Sequence, residues 1–219
     1  MLAARLSALG PYFAVSVGAD GDRWLPLAEL PSRVAERVAF VRGELARRAG
    51  ADVDVRVAAS IHQLGFVSRL VAPALAAVAL DDVVPAFTGV RWQPVDGGPV
   101  PIAVSALEVR PASADAFDAA VLQPLVGPVV DAFAGLGVSR RVLWGNVASA
   151  LAGAAGMLRR ADAPLAADPI GFVRAVLDRP GPLHAAGRFE VDGRAFVRAS
   201  CCLFYRVPNA GKCGDCILL

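Results

Sequence analysis

Residues 54–104, DVRVAASIHQLGFVSRLVAPALAAVALDDVVPAFTGVRWQPVDGGPVPIAV, contain the point where one periodicity gives way to another. Through Val57, Ile61, Leu64, Val71, Leu75 and Val78 the apolar positions recur three, four or seven apart. That is the spacing of one helix face, and Asp54 stands where such a helix would open. Pro73 lacks an amide hydrogen and crowds the preceding turn, so two helices or a kink are expected there. After Asp81-Asp82 and Pro85 the period shortens. Val90, Trp92 and Val95, the turn Asp96-Gly97-Gly98, and then Val100, Ile102 and Val104 read as a β-hairpin. Helices broken by hairpins, without strict βαβ alternation, argue for an α+β fold.

The flanking segments agree with that class. Tyr12–Val17 is aromatic and β-branched and reads as a strand. Ser32–Arg48 repeats Val34, Val38, Val41 and Leu45 at helical spacing, with Ser32 as N-cap and Gly50 as the stop. Ser113–Phe133 reads as helix divided by Pro124 and Pro128, and Ser139 caps the helix that follows. Asp168-Pro169 is an N-cap followed by proline at the first helical position. Arg188–Arg198 forms a second hairpin turned by Asp192-Gly193. The expectation is a helix-rich single α+β domain with two β-hairpins and a C-terminal cysteine-rich tail. Residues 1–186 form the body and residues 187–219 the tail.

Composition narrows the function classes. Among 219 residues, 22 basic and 20 acidic side chains leave a net charge of +2, too little for nucleic-acid binding driven by bulk charge. A hydrophobic content of 56% supports a core of its own. Val142–Met157, the longest uncharged stretch, falls short of the roughly 20 residues that cross a bilayer and contains Asn146 and Ser149, so it reads as a buried helix. No spanning segment is expected, membrane contact would be peripheral, and the absence of a leader-like pattern in Met1–Gly10 makes the cytoplasm the expected location.

All four cysteines fall in the last twenty residues, as Cys201-Cys202, ten intervening residues, then Cys213-Gly214-Asp215-Cys216. Four thiolates are the donor set of a tetrahedral zinc or of a 2Fe-2S cluster, and both are chemically open. Spacing favours the cluster. Two residues between Cys213 and Cys216 suit a zinc knuckle, but adjacent cysteines in extended backbone point to opposite sides, which a two-iron cluster tolerates better than one small ion. Two disulfides are the remaining reading, disfavoured without an export signal. Gly211 and Gly214 suit a tight loop with amides turned toward sulfur.

The tail Cys201-Cys202-Leu203-Phe204-Tyr205-Arg206-Val207-Pro208, followed by Cys213-Gly214-Asp215-Cys216, resembles the C-terminal 2Fe-2S motif of the FhuF-like ferric-siderophore reductases. Less specific similarity covers Val57–Pro85 with its Ser-Arg-Leu-Val-Ala-Pro core, Trp92, and Leu143-Trp144-Gly145-Asn146-Val147-Ala148-Ser149-Ala150-Leu151-Ala152-Gly153. The first fifty residues match no family pattern. The resemblance implies an oxidoreductase in which Cys201, Cys202, Cys213 and Cys216 hold one 2Fe-2S cluster. Such a protein passes an electron to Fe(III) bound by an imported siderophore, commonly a hydroxamate, after taking it from a donor of the ferredoxin or flavoprotein type. An electron carrier or iron sensor with the same cluster, or a zinc-stabilised binding protein, are the alternatives. The reaction itself needs no general base or nucleophile, because hard anionic oxygens hold Fe(III) tightly and Fe(II) weakly.

Arg198, Arg206 and Lys212 lie close to the ligands in sequence; near them in space they would raise the cluster potential or guide an anionic chelate or donor, and otherwise they are solvated charge. Arg69, Arg91, Trp92 and Trp144 could line a siderophore pocket, although core packing for the tryptophans and surface exposure for the arginines is the plainer reading. His62, His184 and Asp81-Asp82 read as structural. Gly211-Lys212 lacks the upstream glycine of a phosphate loop.

Overall fold

The computed structural model describes residues 2–19, 21–190 and 195–218. In chain order the elements are α1 (Leu2–Ala8), β1 (Ser16–Val17), β2 (Leu25–Pro26), α2 (Leu30–Ala49), α3 (Val55–Asp81), β3 (Val83–Thr88), β4 (Arg91–Trp92), β5 (Ile102–Val104), β6 (Ala106–Pro111), α4 (Ala114–Phe117), a π-helical stretch (Asp118–Val126), α5 (Gly127–Ala134), α6 (Arg140–Arg160), α7 (Pro169–Asp178), β7 (Gly187–Phe189) and β8 (Phe196–Arg198), with short 3-10 turns at Leu27–Glu29 and Phe204–Arg206. Helices carry the core and the strands form small sheets at its margins, as α+β requires.

Helix α3 is the axis. The Asp54 carboxylate caps it by accepting from the Arg56 amide at 2.8 Å. The split expected at Pro73 does not occur: α3 runs unbroken for 27 residues. Every residue from Val71 to Leu80 is buried, and burial of a helix on all sides outweighs the roughly 3 kcal/mol that an interior proline costs. By length and composition α3 and the run Ala114–Ala134 could each cross a membrane, but 83% of the apolar window of α3 and 50% of the other lie inside the protein. Helix α6 packs along α3, capped by Ser139, whose hydroxyl accepts from the Val142 amide at 3.3 Å. Helix α7 starts at Pro169, with the Asp168 carboxylate accepting from the Ile170 and Gly171 amides.

Elsewhere the structure corrects local expectations. Helix α2 starts at Leu30, ahead of Ser32, and the Ser32 hydroxyl donates back to the Glu29 carbonyl at 2.8 Å instead of capping. It stops at Gly50, whose φ of 66° is the left-handed conformation glycine adopts freely. Only Ser16–Val17 of Tyr12–Val17 is strand. The run from Ala114 to Ala134 is not divided by its prolines. Pro124 falls inside the π-helical stretch and Pro128 in the first turn of α5, where a missing amide hydrogen costs little.

The β4–β5 hairpin forms as read, with Arg91 opposite Ala103 and Trp92 opposite Ile102. It is widened into a sheet of order β1-β5-β4-β2 by a parallel β1 and an antiparallel β2. A second, unanticipated ladder pairs β3 with β6, from Val83 opposite Pro111 to Thr88 opposite Ala106. The second hairpin pairs Gly187 with Arg198 and Phe189 with Phe196. Its expected turn, Asp192-Gly193, lies outside the described residues.

Candidate metal centre

Strand β8 delivers the chain to Cys201. The Ala199 amide donates to the Ala186 carbonyl at 2.8 Å and the Arg198 amide to the Asp215 carbonyl at 3.2 Å, so the strand end and the Cys213–Cys216 loop are tied together. Cys202 and Cys216 are buried, Cys201 and Cys213 half-buried, and none is in a disulfide. The Cys202 and Cys213 sulfurs lie 3.4 Å apart. Two backbone amides point at sulfur: Leu203 donates to Cys201 Sγ at 3.3 Å and Leu218 to Cys216 Sγ at 3.4 Å. Such bonds stabilise negative charge on a thiolate. The first accompanies a sharp bend after Cys202, where Leu203 has a φ of 69°.

The tail is docked onto the helical body by two devices. Val207 is buried with Val53 and Val57 in a small apolar cluster, against which Leu203 and Phe204 pack. Beside it, a chain of buried polar groups crosses the helices. Ser60 Oγ donates to the Cys202 carbonyl at 2.8 Å. Asn146 Nδ2 contacts Ser60 Oγ at 3.0 Å and Gln63 Oε1 at 2.9 Å, and Arg198 Nη2 donates to Asn146 Oδ1 at 2.6 Å. A Cβ on Gly145 would collide with the Ser200 hydroxyl, so glycine there lets α6 approach the strand that carries the cysteines.

Electrostatics test whether these residues suit a metal cluster. The Arg198 side chain is fully buried, its Nε is 3.8 Å from Asp215 Oδ2, and among the described residues its Nε and Nη1 have no hydrogen-bond partner. A buried guanidinium with unsatisfied donors calls for nearby negative charge, which the Asp215 carboxylate supplies in part. Four thiolates on a pair of irons would add to it, since such an assembly carries net negative charge. Burial pushes the Cys201 and Cys213 thiols above their usual range, and neighbouring cysteines add to the rise; at Cys201 the amide of Leu203 and the charge of Arg198 pull the other way. A coordinated cation would hold these half-buried thiols deprotonated. Among the described residues no three His, Cys, Asp or Glu side chains close on a single ion. A 2Fe-2S cluster would take two thiolates at each iron, so it would not need three side chains on one ion. The donor set fits.

The remaining sequence-predicted residues separate. Arg206 and Lys212 are exposed; Arg206 meets Tyr205 Oη at 3.4 Å and Lys212 donates to the Leu218 carbonyl. Arg69 is neither on the surface nor in a pocket. It is 2% exposed and donates to the carbonyls of Tyr12, Ala14 and Val100, stapling the N-terminal segment to the first hairpin, and burial pushes its pKa down to about 10. Trp92 is core, edge-on to Phe66 at 5.5 Å. Arg91 is half-buried in β4, and His62 lies between Phe66 and Phe133. Trp144 lines two cavities, His184 shares one of them, and His62 borders two others. Sequence reading missed Ser60, Gln63 and Asn146 as parts of the site; the available signal was a polar residue on an otherwise apolar helix face.

Residues 198–216 match the family model described as the FhuF 2Fe-2S C-terminal domain, and all four cysteines lie within the matched residues, so the tail is similar to a 2Fe-2S-binding segment. No curated protein matches the chain.

Proposed function

We propose that this protein reduces Fe(III) bound to a siderophore, so that iron is released as Fe(II) in the cytoplasm. The observation that carries the reading is the match of residues 198–216 to a 2Fe-2S domain, with the Cys202 and Cys213 sulfurs 3.4 Å apart in a tail docked on the helical body and backed by the buried Arg198 guanidinium. Bound there, a 2Fe-2S cluster supplies one-electron chemistry. The protein's own part is to hold the sulfurs, to turn the Leu203 and Leu218 amides onto them, and to set a positive charge behind them. One electron drawn from a ferredoxin or flavoprotein donor reduces one Fe(III) to Fe(II), and the chelate then loosens because its hard oxygens bind the less charged ion weakly.

Anaerobically purified protein is expected to show the visible and EPR spectra of a 2Fe-2S centre, with matching iron and sulfide. Mixing the reduced protein with ferric siderophore should reoxidise it while a ferrous chelator captures the product. Unchanged spectra on mixing would instead mark an electron carrier or sensor. A colourless preparation with zinc would remove the cluster. The Cys213→Ser variant should lose or strongly perturb the cluster yet keep its far-UV circular dichroism, because the ligands occupy only the tail.

A further inference from the structure

Trp144 stands between two cavities of about 400 and 420 Å³. They share Trp144 and Pro182 but differ in charge. In the first, the lining arginine, Arg179, is engaged by Asp115 at 2.7 Å and by Asp118 at 3.1 Å, so its charge is neutralised on the spot. The second is lined by Arg140, Arg141, Trp144, His184, Ala199 and Ser200 among others, and none of the described residues lining it is acidic. Arg140 is paired with Asp131 at 2.5 Å, and with both side chains more than half exposed solvent screens the pair. Arg141 gives one N–H to the Ala199 carbonyl at 3.0 Å, and a guanidinium carries five. Ser200, on the cavity wall, is the residue before Cys201, so the chain that lines this space leads directly into the first of the four cysteines.

We infer that this second cavity is the docking site for the ferric chelate and that it selects anionic chelates, of the catecholate or α-hydroxycarboxylate class, over neutral ones. The inference rests on the reductase reading and refines its substrate. Hydroxamates carry one negative charge apiece and together neutralise Fe(III); catecholates carry two and leave the complex anionic. The Arg141 guanidinium, which has no carboxylate partner among the described residues, rewards the second case with charge-assisted bonds to oxyanion oxygens, Arg140 adds to it from its exposed pair with Asp131, and a half-buried indole offers a flat apolar wall to an aromatic ligand arm. The neutral hydroxamate complex implied by family resemblance gains only the wall.

Gallium(III) complexes separate binding from electron transfer, since gallium is not reduced. Calorimetric titration of the cluster-loaded protein should show a gallium tris-catecholate binding about tenfold or more tighter than a neutral gallium tris-hydroxamate, as expected for one or two charge-assisted contacts. Raising the salt should shrink the difference. Arg140→Gln, which touches no part of the tail, should narrow it. Arg141→Gln should narrow it further and Arg141→Lys restore it, with the visible spectrum unchanged. Equal affinities, no binding of either complex, or a preference that survives both glutamine variants would overturn the inference. Reoxidation of the reduced protein by neutral and anionic ferric chelates alike would leave the reductase standing and remove the charge selection; reoxidation by neither would remove the reductase as well.

Discussion

The two ends of the α3–α6 pair are built on opposite principles. Toward the C-terminal half of α3 everything is apolar: Val71–Leu80 is buried throughout, alongside Val147, Leu151, Ala155 and Leu158 of α6. At the other end Ser60, Gln63, Asn146 and Arg198 are equally buried, yet joined by hydrogen bonds. The dry end stabilises by area and packing, which any well-shaped apolar side chains could provide. The polar end gains little net stability from its bonds and loses much if one partner goes. What it provides is direction: each group fixes the next until the Cys202 carbonyl and the Arg198 guanidinium have defined places.

The largest expected effect is at the dry end. Leu151→Ala should cost about 2–5 kcal/mol in denaturant unfolding, through lost transfer energy and a cavity, while the folded protein keeps its cluster spectrum. At the polar end, Asn146→Leu leaves Arg198, Ser60 and Gln63 short of partners and should cost about 3 kcal/mol. In contrast to Leu151→Ala, it should also make the tail sensitive to protease and lower cluster retention. If both variants behave alike, the division between the two ends fails.

His62 tests the margin between them. It lies half-buried between Phe66 and Phe133, where burial first and the Arg37 charge second hold its pKa near 4. The unfolded chain, with an ordinary value of about 6.5, binds the proton more readily. The contribution to stability is therefore full above about pH 6.5 and lost as the pH falls toward 4. Discounted for partial exposure, it amounts to on the order of 2 kcal/mol. Urea unfolding of His62→Phe across that range should show a shallower acid loss. The smallest effect sharpens the electrostatic half of the comparison. Removing the buried positive charge in Arg198→Gln should lower the cluster midpoint potential by about 59 mV, a tenfold change in the one-electron equilibrium, with Arg198→Lys close to the parent in spectroelectrochemical titration.

Much of the architecture could be read from local pattern, because the elements in question are determined locally. The caps at Asp54, Ser139 and Asp168, the stop at Gly50 and the β4–β5 hairpin each depend on residues a few positions apart. What escaped was decided at a distance. Strand β6 is mostly exposed and shows no clean alternation, so only its pairing with β3 reveals it. Pro73 survives inside α3 because of neighbours from other elements, and Arg69 is drawn inward by three carbonyls 31 to 57 residues away. The cysteines announced themselves by type and spacing. Their supporting network did not, since Arg198 and Asn146 are 52 positions apart.

The hydrogen bond from Ser60 to the Cys202 carbonyl spans 142 residues. The seat for the tail is thus made of residues translated before it, on α3 and on α6, and α6 must lie against α3 for that seat to exist. Iron insertion is then expected to follow folding of the body, and a chain cut before β8 to present a folded platform with nothing to seat.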